Sequence, residues 1–301
     1  MKKSERKTVL ILGASGLVGG NLFNHLKKKN YLVNGTYFKN KKKKFSYFDI
    51  SKNIINSIKN IKKVKYLVIA SAINVNLDDT KKNFKRSFFI NVKRTKIVID
   101  QCFKNNITPV YISSDAVFDG KKGNYKEIDK KNPIHGYGRI KNEVEKYIIK
   151  RKKKYLIVRV SRIFGINKNE KTFLTSFKKR IETEEKVECS KDQIFSPIFV
   201  NDLSDYIEKL IRNNYFGIFH LASIKSITHY EIAKSIKKFF KIKENKIIPC
   251  KINSLKVVEK RPLLTNLLMY KFESLFNVKY NNLEYYLKKI RQNEKKNYRH
   301  K

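Results

Sequence analysis

A strand-to-helix junction punctuated by glycines constrains this chain more than any other stretch. Lys7 to Leu22 reads KTVLILGASGLVGGNL: apolar Val9 to Leu12 runs into Gly13-Ala14-Ser15-Gly16-Leu17-Val18-Gly19, and the apolar spacing then turns helical through Leu22, Phe23 and Leu26. Each glycine has a physical reason at such a junction. Gly13 lets the chain turn, Gly16 lets a backbone approach a pyrophosphate, and Gly19 lets the helix pack closely on its sheet. Free N–H groups and the positive end of the helix dipole then face the phosphates. Gly13, Ser15, Gly16, Leu17, Val18 and Gly19 are therefore expected to hold a dinucleotide. The spacing is GxxGxxG rather than GxGxxG, and a purely structural glycine turn is the alternative. The position, directly after a first strand and opening a helix, favours the dinucleotide.

The second strand, Tyr31 to Tyr37, lacks the Asp or Glu with which an NAD-preferring fold holds the ribose hydroxyls. Phe38-Lys39-Asn40-Lys41-Lys42-Lys43-Lys44 follows instead. A basic loop suits a 2′-phosphate, so the expectation leans to NADPH with Lys39 as a contact; NADH stays open, because the run also reads as a solvated lysine face. Phe45 to Phe48 is a short third strand ending at Asp49-Ile50, Ser51 to Asn60 reads as helical, and Tyr66 to Ala70 is a fourth strand. The small Ala70, Ser71 and Ala72 at its carboxyl end admit a flat cofactor. Asp79 to Asn105 reads as one long helix containing Asn91, followed by strands at Pro109 to Ser113 and Tyr155 to Val160. This alternation predicts an α/β, Rossmann-type doubly wound parallel sheet with its ligand in the crevice at the strands' carboxyl ends.

With 301 residues, 41% of them apolar, the chain has material for such a domain and a smaller lobe. We expect a dinucleotide-binding domain over residues 1–160, a substrate-binding lobe over 161–291 interleaved with the middle helices, and a basic tail at 292–301 that frays. Lys plus Arg number 69 against 26 Asp plus Glu, a net charge of +43 that would ordinarily call for a polyanion such as nucleic acid. The excess is spread end to end, is mostly lysine and accompanies abundant Asn and Ile, which points to compositional bias, and no nucleic-acid partner is expected. A positive field still raises the local concentration of anionic dinucleotides and nucleotide-sugars. No run approaches the roughly 20 apolar residues of a membrane span, and the basic start lacks a signal peptide's apolar core. Cys102, Cys189 and Cys250 form no CxxC pair, arguing against a disulfide framework and for a reducing cytoplasm. No His, Asp and Glu have the sequence spacing of a transition-metal site, and no metal is expected.

The chemistry is concentrated where Ser113-Ser114-Asp115 ends the fifth strand and Tyr137-Gly138-Arg139-Ile140-Lys141 begins the next helix. Residues four apart share a helix face, so Tyr137 and Lys141 stand one above the other. A phenol titrates near pH ~10, and an ammonium a few ångströms away lowers that value. Tyr137 is then expected to serve as a proton donor near neutral pH, with the Ser114 hydroxyl bonding a carbonyl oxygen as charge develops on it.

With the glycine junction, this set resembles the extended short-chain dehydrogenase/reductase superfamily. Ser113-Ser114-Asp115-Ala116-Val117-Phe118-Asp119-Gly120, Gly123-Asn124-Tyr125-Lys126-Glu127 and Asn132-Pro133-Ile134-His135-Gly136-Tyr137-Gly138-Arg139-Ile140-Lys141 look like the dTDP-4-dehydrorhamnose reductase family within it. The resemblance spans about residues 7 to 290. It implies catalytic Ser114, Tyr137 and Lys141, with Tyr137 and Lys141 also touching cofactor. It further implies substrate contacts at Ser114, Asp115, Arg162 and Arg261, adenine near Asp49 and Ile50, and a supporting role for Asn91. The implied reaction is NAD(P)H-dependent reduction of a 4-keto-6-deoxy nucleotide-sugar for surface polysaccharide, in a chain that forms a possible homodimer. Family members carry a tryptophan after the sixth strand, where this chain has Arg162 or Ile163 and no Trp anywhere, which leaves the sugar open. Two alternatives remain: an epimerase or dehydratase of the same architecture, for which Asp115 is formally placed, and a cofactor-binding regulatory subunit without turnover, as in methionine adenosyltransferase. His220 reads as structural, and His135 as a loop residue near the cleft.

Overall fold

The computed structural model describes residues 7–73, 77–167, 170, 172–243, 246–256 and 258–299. Val9 to Leu12 lie within β1 (Thr8–Leu12), and α1 (Leu17–Lys28) follows the glycine loop. The chain continues through β2 (Leu32–Tyr37), β3 (Ser46–Tyr47), β4 (Tyr66–Ile69), α2 (Leu77–Lys82), α3 (Phe84–Phe88), α4 (Thr95–Lys104), β5 (Thr108–Ser114), α5 (Gly136–Lys150) and β6 (Leu156–Val160). Beyond lie β7 (Ile163–Phe164), α6 (Phe173–Thr183), β8 (Lys186–Ser190), β9 (Ile194–Phe195), β10 (Ile198–Phe199), α7 (Val200–Arg212) and β11 (Gly217–Leu221). The last elements are β12 (Ile227–Thr228), α8 (His229–Phe240), β13 (Lys246–Cys250), α9 (Tyr270–Phe276) and α10 (Leu283–Arg299).

Seven strands form one sheet in the order β11-β6-β5-β4-β1-β2-β3, with the ladders from β3 to β5 parallel. β4 and β6 are buried along their whole length and β1 and β5 beyond their first residues, which explains their near-continuous apolar runs: a parallel sheet is covered on both faces. Leu10 and Leu12 of β1 pack with Val98, Ile99 and Cys102 of α4 and Ile140, Val144 and Ile148 of α5. Strand order reverses about β1, so the ligand crevice of such a sheet opens between the carboxyl ends of β1 and β4.

The chain divides into two compact units, the first taking in the chain up to Val117, Pro133–Arg159 and Asn201–Phe219. The second comprises Phe118–Asn132, Val160–Val200 and the chain from His220 on. In the second, β7 pairs with β10 and β8 with β13 in parallel, and β9 pairs with β12 antiparallel. Phe164 meets Phe173, Phe199 and Tyr286 there in tilted or edge-on ring contacts.

Three expectations need correction. Ser51 to Asn60 is not a helix; single 3-10 turns form at Ile55–Ser57 and Ile61–Lys63, separated by Asn60 at φ 62°. Ile54, Ile55 and Ile58 have the three- and four-residue spacing of a helix, yet of these only Ile55 is buried. Asp79 to Asn105 is not one helix either, because Asn83 leaves helical geometry and a π-helical turn occupies Phe89–Arg94. The tail does not fray from Gln292: α10 continues to Arg299, and Glu294 meets Lys178 at 3.0 Å.

In the first unit, Glu145 of α5 and Arg159 of β6 form a fully buried ion pair, Arg159 Nε donating to Oε1 at 2.9 Å and Nη2 to Oε2 at 2.8 Å. Ser113 Oγ of β5 donates to the same Oε1 at 2.6 Å. Removing one member of a buried pair leaves the other charge uncompensated. Arg159→Met should lower unfolding free energy by about 3–5 kcal/mol, measured by urea denaturation. A loss below 1 kcal/mol would mean that the pair does not hold these elements together.

Candidate functional site

The three glycines of the loop after β1 differ in what requires them. Gly13 has φ +86°, and a Cβ there would lie 2.9 Å from the Ser71 amide nitrogen. A Cβ on Gly19 would come within 2.4 Å of the Gly13 carbonyl oxygen, so this glycine serves helix packing rather than the cleft wall. Gly16 has an ordinary φ of −84°, and its Cβ would meet only the Gly13 oxygen, at 3.5 Å. The folded chain has room for a side chain at Gly16, so its bareness serves whatever enters the cleft. Gly16 is also the N-cap of α1 and offers no side-chain cap, and the first turn, with Leu17 and Val18, holds no acid. The orphan N–H groups of that turn remain available to an anion.

A cleft of about 770 Å³ extends from Gly13, Ser15 and Gly16 to Lys39, Asp49, Ile50, Ala70 and Ala72. Its far rim is stiff: Asp49 Oδ1 accepts from the Ser51 amide at 2.8 Å and the Ser51 hydroxyl at 2.7 Å. Arg94 donates to the Ile50 and Asn53 carbonyls at 2.7 and 2.9 Å. The lysine run divides, with Lys39 on the cleft wall and Lys44 lying 5.0 Å from the Phe23 ring centre. No carboxylate ends β2, and the shape suits a dinucleotide: a bare backbone at Gly16, small residues after β4 and cations on the wall. Sequence reasoning missed Thr36, whose hydroxyl accepts from the Gly13 amide at 3.2 Å, and the wall residues Asn83, Arg86 and Ile90.

Ser114, Asp115, Tyr137 and Lys141 come together in the first unit. The Ser114 hydroxyl donates to Asp115 Oδ1 at 2.8 Å, accepts from the Ala116 amide at 3.2 Å and lies in hydrogen-bond reach of the Tyr137 phenol. Two neighbours set that meeting. Gly138 lets the first turn of α5 press against the Asp115–Val117 turn, for a Cβ on it would sit 2.0 Å from the Ala116 oxygen. His135 is no cleft residue but the buried N-cap of α5, its Nδ1 accepting from the Gly138 amide at 3.1 Å. Lys141 Nζ donates to the Ile112 carbonyl at 2.8 Å and lies 5.7 Å from the Tyr137 ring centre and 4.8 Å from that of Tyr111. Asn91, in the π turn, exchanges two hydrogen bonds with the Ile73 backbone, at 3.0 and 2.8 Å, and so holds the loop after β4.

The electrostatics correct the expectation for the phenol. Burial first, and the Asp115 carboxylate second, push the Tyr137 pKa well above that of an ordinary tyrosine, against a smaller lowering by Ser114. Burial lowers Lys141 to about 8, opposed by Glu145 one turn further along α5. Desolvation thus outweighs the mutual influence of phenol and ammonium.

Arg162 and Arg261 belong to the second unit, where Arg162 is exposed with its guanidinium 5.1 Å from the Phe195 ring centre and Arg261 is partly buried. His220 is buried, its Nδ1 3.0 Å from the Tyr125 carbonyl oxygen, a structural place. The fold gathers His25, Asp205 and Glu208, ligand atoms within 4.8 Å of one another, although they are remote in sequence. Their carboxylates already meet cations or hydroxyls, Asp205 with Lys209 at 3.0 Å and Glu208 with Tyr31 at 3.0 Å. Cys102, Cys189 and Cys250 are free thiols, and no described helix is long and apolar enough to cross a membrane.

Residues 7–295 match the model of the RmlD substrate binding domain family. The chain is 26% identical over 299 residues to a dTDP-4-dehydrorhamnose reductase from Aggregatibacter actinomycetemcomitans, covering 94% of this chain and 98% of that one. It is 25% identical over 256 residues to methionine adenosyltransferase 2 subunit beta of Danio rerio, covering 81% and 77% respectively. Among solved structures, dTDP-4-dehydrorhamnose reductase from Bacillus anthracis in complex with NADP superposes with a TM-score of 0.83 at 25% identity, over 95% of this chain and 99% of that one.

The lowered Lys141 pKa has a signature in stability alone. Between about pH 8 and the unfolded-state value near ~10.4, the unfolded chain holds a proton that the folded chain has released, so stability from this group rises with pH. The wild type should therefore gain stability relative to Lys141→Met across that window, and the difference should be flat below it. Thermal midpoints of both proteins from pH 6 to 10 provide the check.

Proposed function

The chain belongs to the RmlD substrate binding domain family, and from that membership we propose that it is an NAD(P)-dependent oxidoreductase that reduces the keto group of a 4-keto-6-deoxy nucleotide-sugar. The product is a deoxysugar nucleotide of the kind used in surface polysaccharide. One observation carries the reading: a serine hydroxyl, a phenol and an ammonium converge at the carboxyl end of β5, in the same unit as a dinucleotide-shaped cleft. The reduced nicotinamide supplies the hydride.

This chain's residues supply the rest. Ser114 orients the keto oxygen, and Tyr137 gives it a proton as it becomes an alkoxide. A phenol with a raised pKa stays protonated throughout the neutral range, and an alkoxide is basic enough to take its proton. Lys141 provides positive charge beside the phenol while it is protonated. The Ser114 hydroxyl donates to Asp115 Oδ1 and accepts from the Ala116 amide, so to orient the keto oxygen its proton turns from the carboxylate to the substrate. The lean toward NADPH rests on the absence of an acid after β2 and on Lys39 at the cleft wall. The intact Ser114, Tyr137 and Lys141 support turnover over a purely regulatory role, and we infer a cytoplasmic protein.

Two measurements test this function. Gly16→Val should fold with a thermal midpoint close to wild type yet bind NADPH at least ~10-fold more weakly, since the side chain occupies the pyrophosphate path; calorimetric titration reads it, and unchanged affinity would refute the cleft assignment. Tyr137→Phe should keep cofactor affinity and lose about 10²- to 10⁴-fold in turnover of a 4-keto nucleotide-sugar. Turnover by the wild type should decline as pH rises through about 8, where Lys141 loses its charge, and Lys141→Met should lack that limb. A Tyr137→Phe enzyme as fast as wild type would leave the regulatory reading standing.

A further inference from the structure

The first turn of α1 carries no charged side chain, so a diphosphate at the glycine loop meets only N–H groups and a helix end worth roughly half a charge. The cleft wall does carry cations, and one arrives from an unexpected element. Arg86 of α3 is exposed on the wall, and its guanidinium has no hydrogen-bond, ion-pair or ring partner among the described residues. Asn83, Arg86 and Ile90 form one stripe along the wall. Their spacing of three and four residues is that of a single helix face, which runs from the break at Asn83 through α3 into the π turn at Phe89–Arg94. The Asn91 side chain of that turn is bonded to Ile73, itself part of the wall, so the stripe and the loop after β4 are fixed to each other. Lys85, the adjacent cation on α3, is exposed and does not line the cleft.

We propose that Arg86 is a cofactor-recognition residue, its guanidinium pairing with a phosphate group of the dinucleotide bound in this cleft. The inference rests on the reductase reading above and adds a contact from the helix after β4 to those expected from the loops after β1 and β2. A guanidinium presents a planar fork of donors that matches phosphate oxygens two at a time, which a lysine such as Lys39 does not. The phosphate has two possible sources, the pyrophosphate common to both cofactors and the 2′-phosphate of NADPH alone.

The test is calorimetric titration of wild type, Arg86→Gln and Lys85→Gln with NADPH and with NADH at low ionic strength. Both variants remove one charge from the same exposed helix, so Lys85→Gln reports the general field of a chain of net charge +43. Arg86→Gln should weaken binding about tenfold, as expected for loss of a charge-assisted hydrogen bond, with Lys85→Gln within about twofold of wild type. Equal weakening for both cofactors assigns the contact to the pyrophosphate; weakening confined to NADPH assigns it to the 2′-phosphate. If Arg86→Gln binds both cofactors as Lys85→Gln does, the proposal is overturned. Wild-type protein that binds neither cofactor would overturn the reductase reading instead, a result visible before any variant is compared.

Discussion

Glu145 has no accessible surface, and Arg159 meets both of its carboxylate oxygens, compensating a charge that would be costly to bury alone. The pair ties α5 to β6, and the hydroxyl of Ser113 adds β5 to the same carboxylate. All three elements bear on the chemistry. Ser114 follows Ser113 directly, Lys141 lies one turn before Glu145 and donates to Ile112, and Tyr137 lies one turn before Lys141. The same negative charge opposes the burial that strips Lys141 of its proton. Packing and charge thus share one interaction: displacing the carboxylate would loosen the strand end that carries the serine and lower the Lys141 pKa further.

The strands and the glycine loop were legible because parallel strands buried on both faces show as unbroken apolar runs, and because glycine has few other reasons to recur after one. The serine, tyrosine and lysine were legible from spacing, since a helix places residues four apart on one face. What stayed hidden depends on hydrogen-bond register and on burial. Phe84, Phe88, Phe89, Ile90 and Val92 have the apolar density of a regular helix, and nothing in side-chain pattern separates an α from a π turn. Arg86 was hidden for another reason, since in sequence it is one more cation of a lysine-rich stretch and only the fold sets it on the cleft wall. The phenol's raised pKa was hidden for a different reason: spacing announced the ammonium, whereas the larger effect, desolvation, requires knowing what covers the ring.

The lysine excess settles into the fold in two ways. Some lysines lie along aromatic rings, as Lys44 does over Phe23 and Phe45 and Lys178 over Phe240, where the apolar stem covers hydrophobic surface and the ammonium meets the ring face. Others, such as Lys41 to Lys43, stand in solvent, where salt screens their repulsion over about 8 Å. The local sign of the cleft is set by few of them: Lys39 and Lys52, with Arg86, face a single carboxylate, Asp49, and the other lining residues are uncharged.

Gly138 carries a consequence of a different kind. The carbonyl of Ala116 occupies the place where any other residue would put its first side-chain carbon, so α5 and the turn after β5 approach as closely as they do only while that carbon is missing. An alanine would lever the start of the helix outward and carry the phenol away from its serine, while the loop after β1, built from other residues, would keep its shape. Within this architecture, then, the meeting of phenol and serine can be undone by one methyl group without touching the glycine loop.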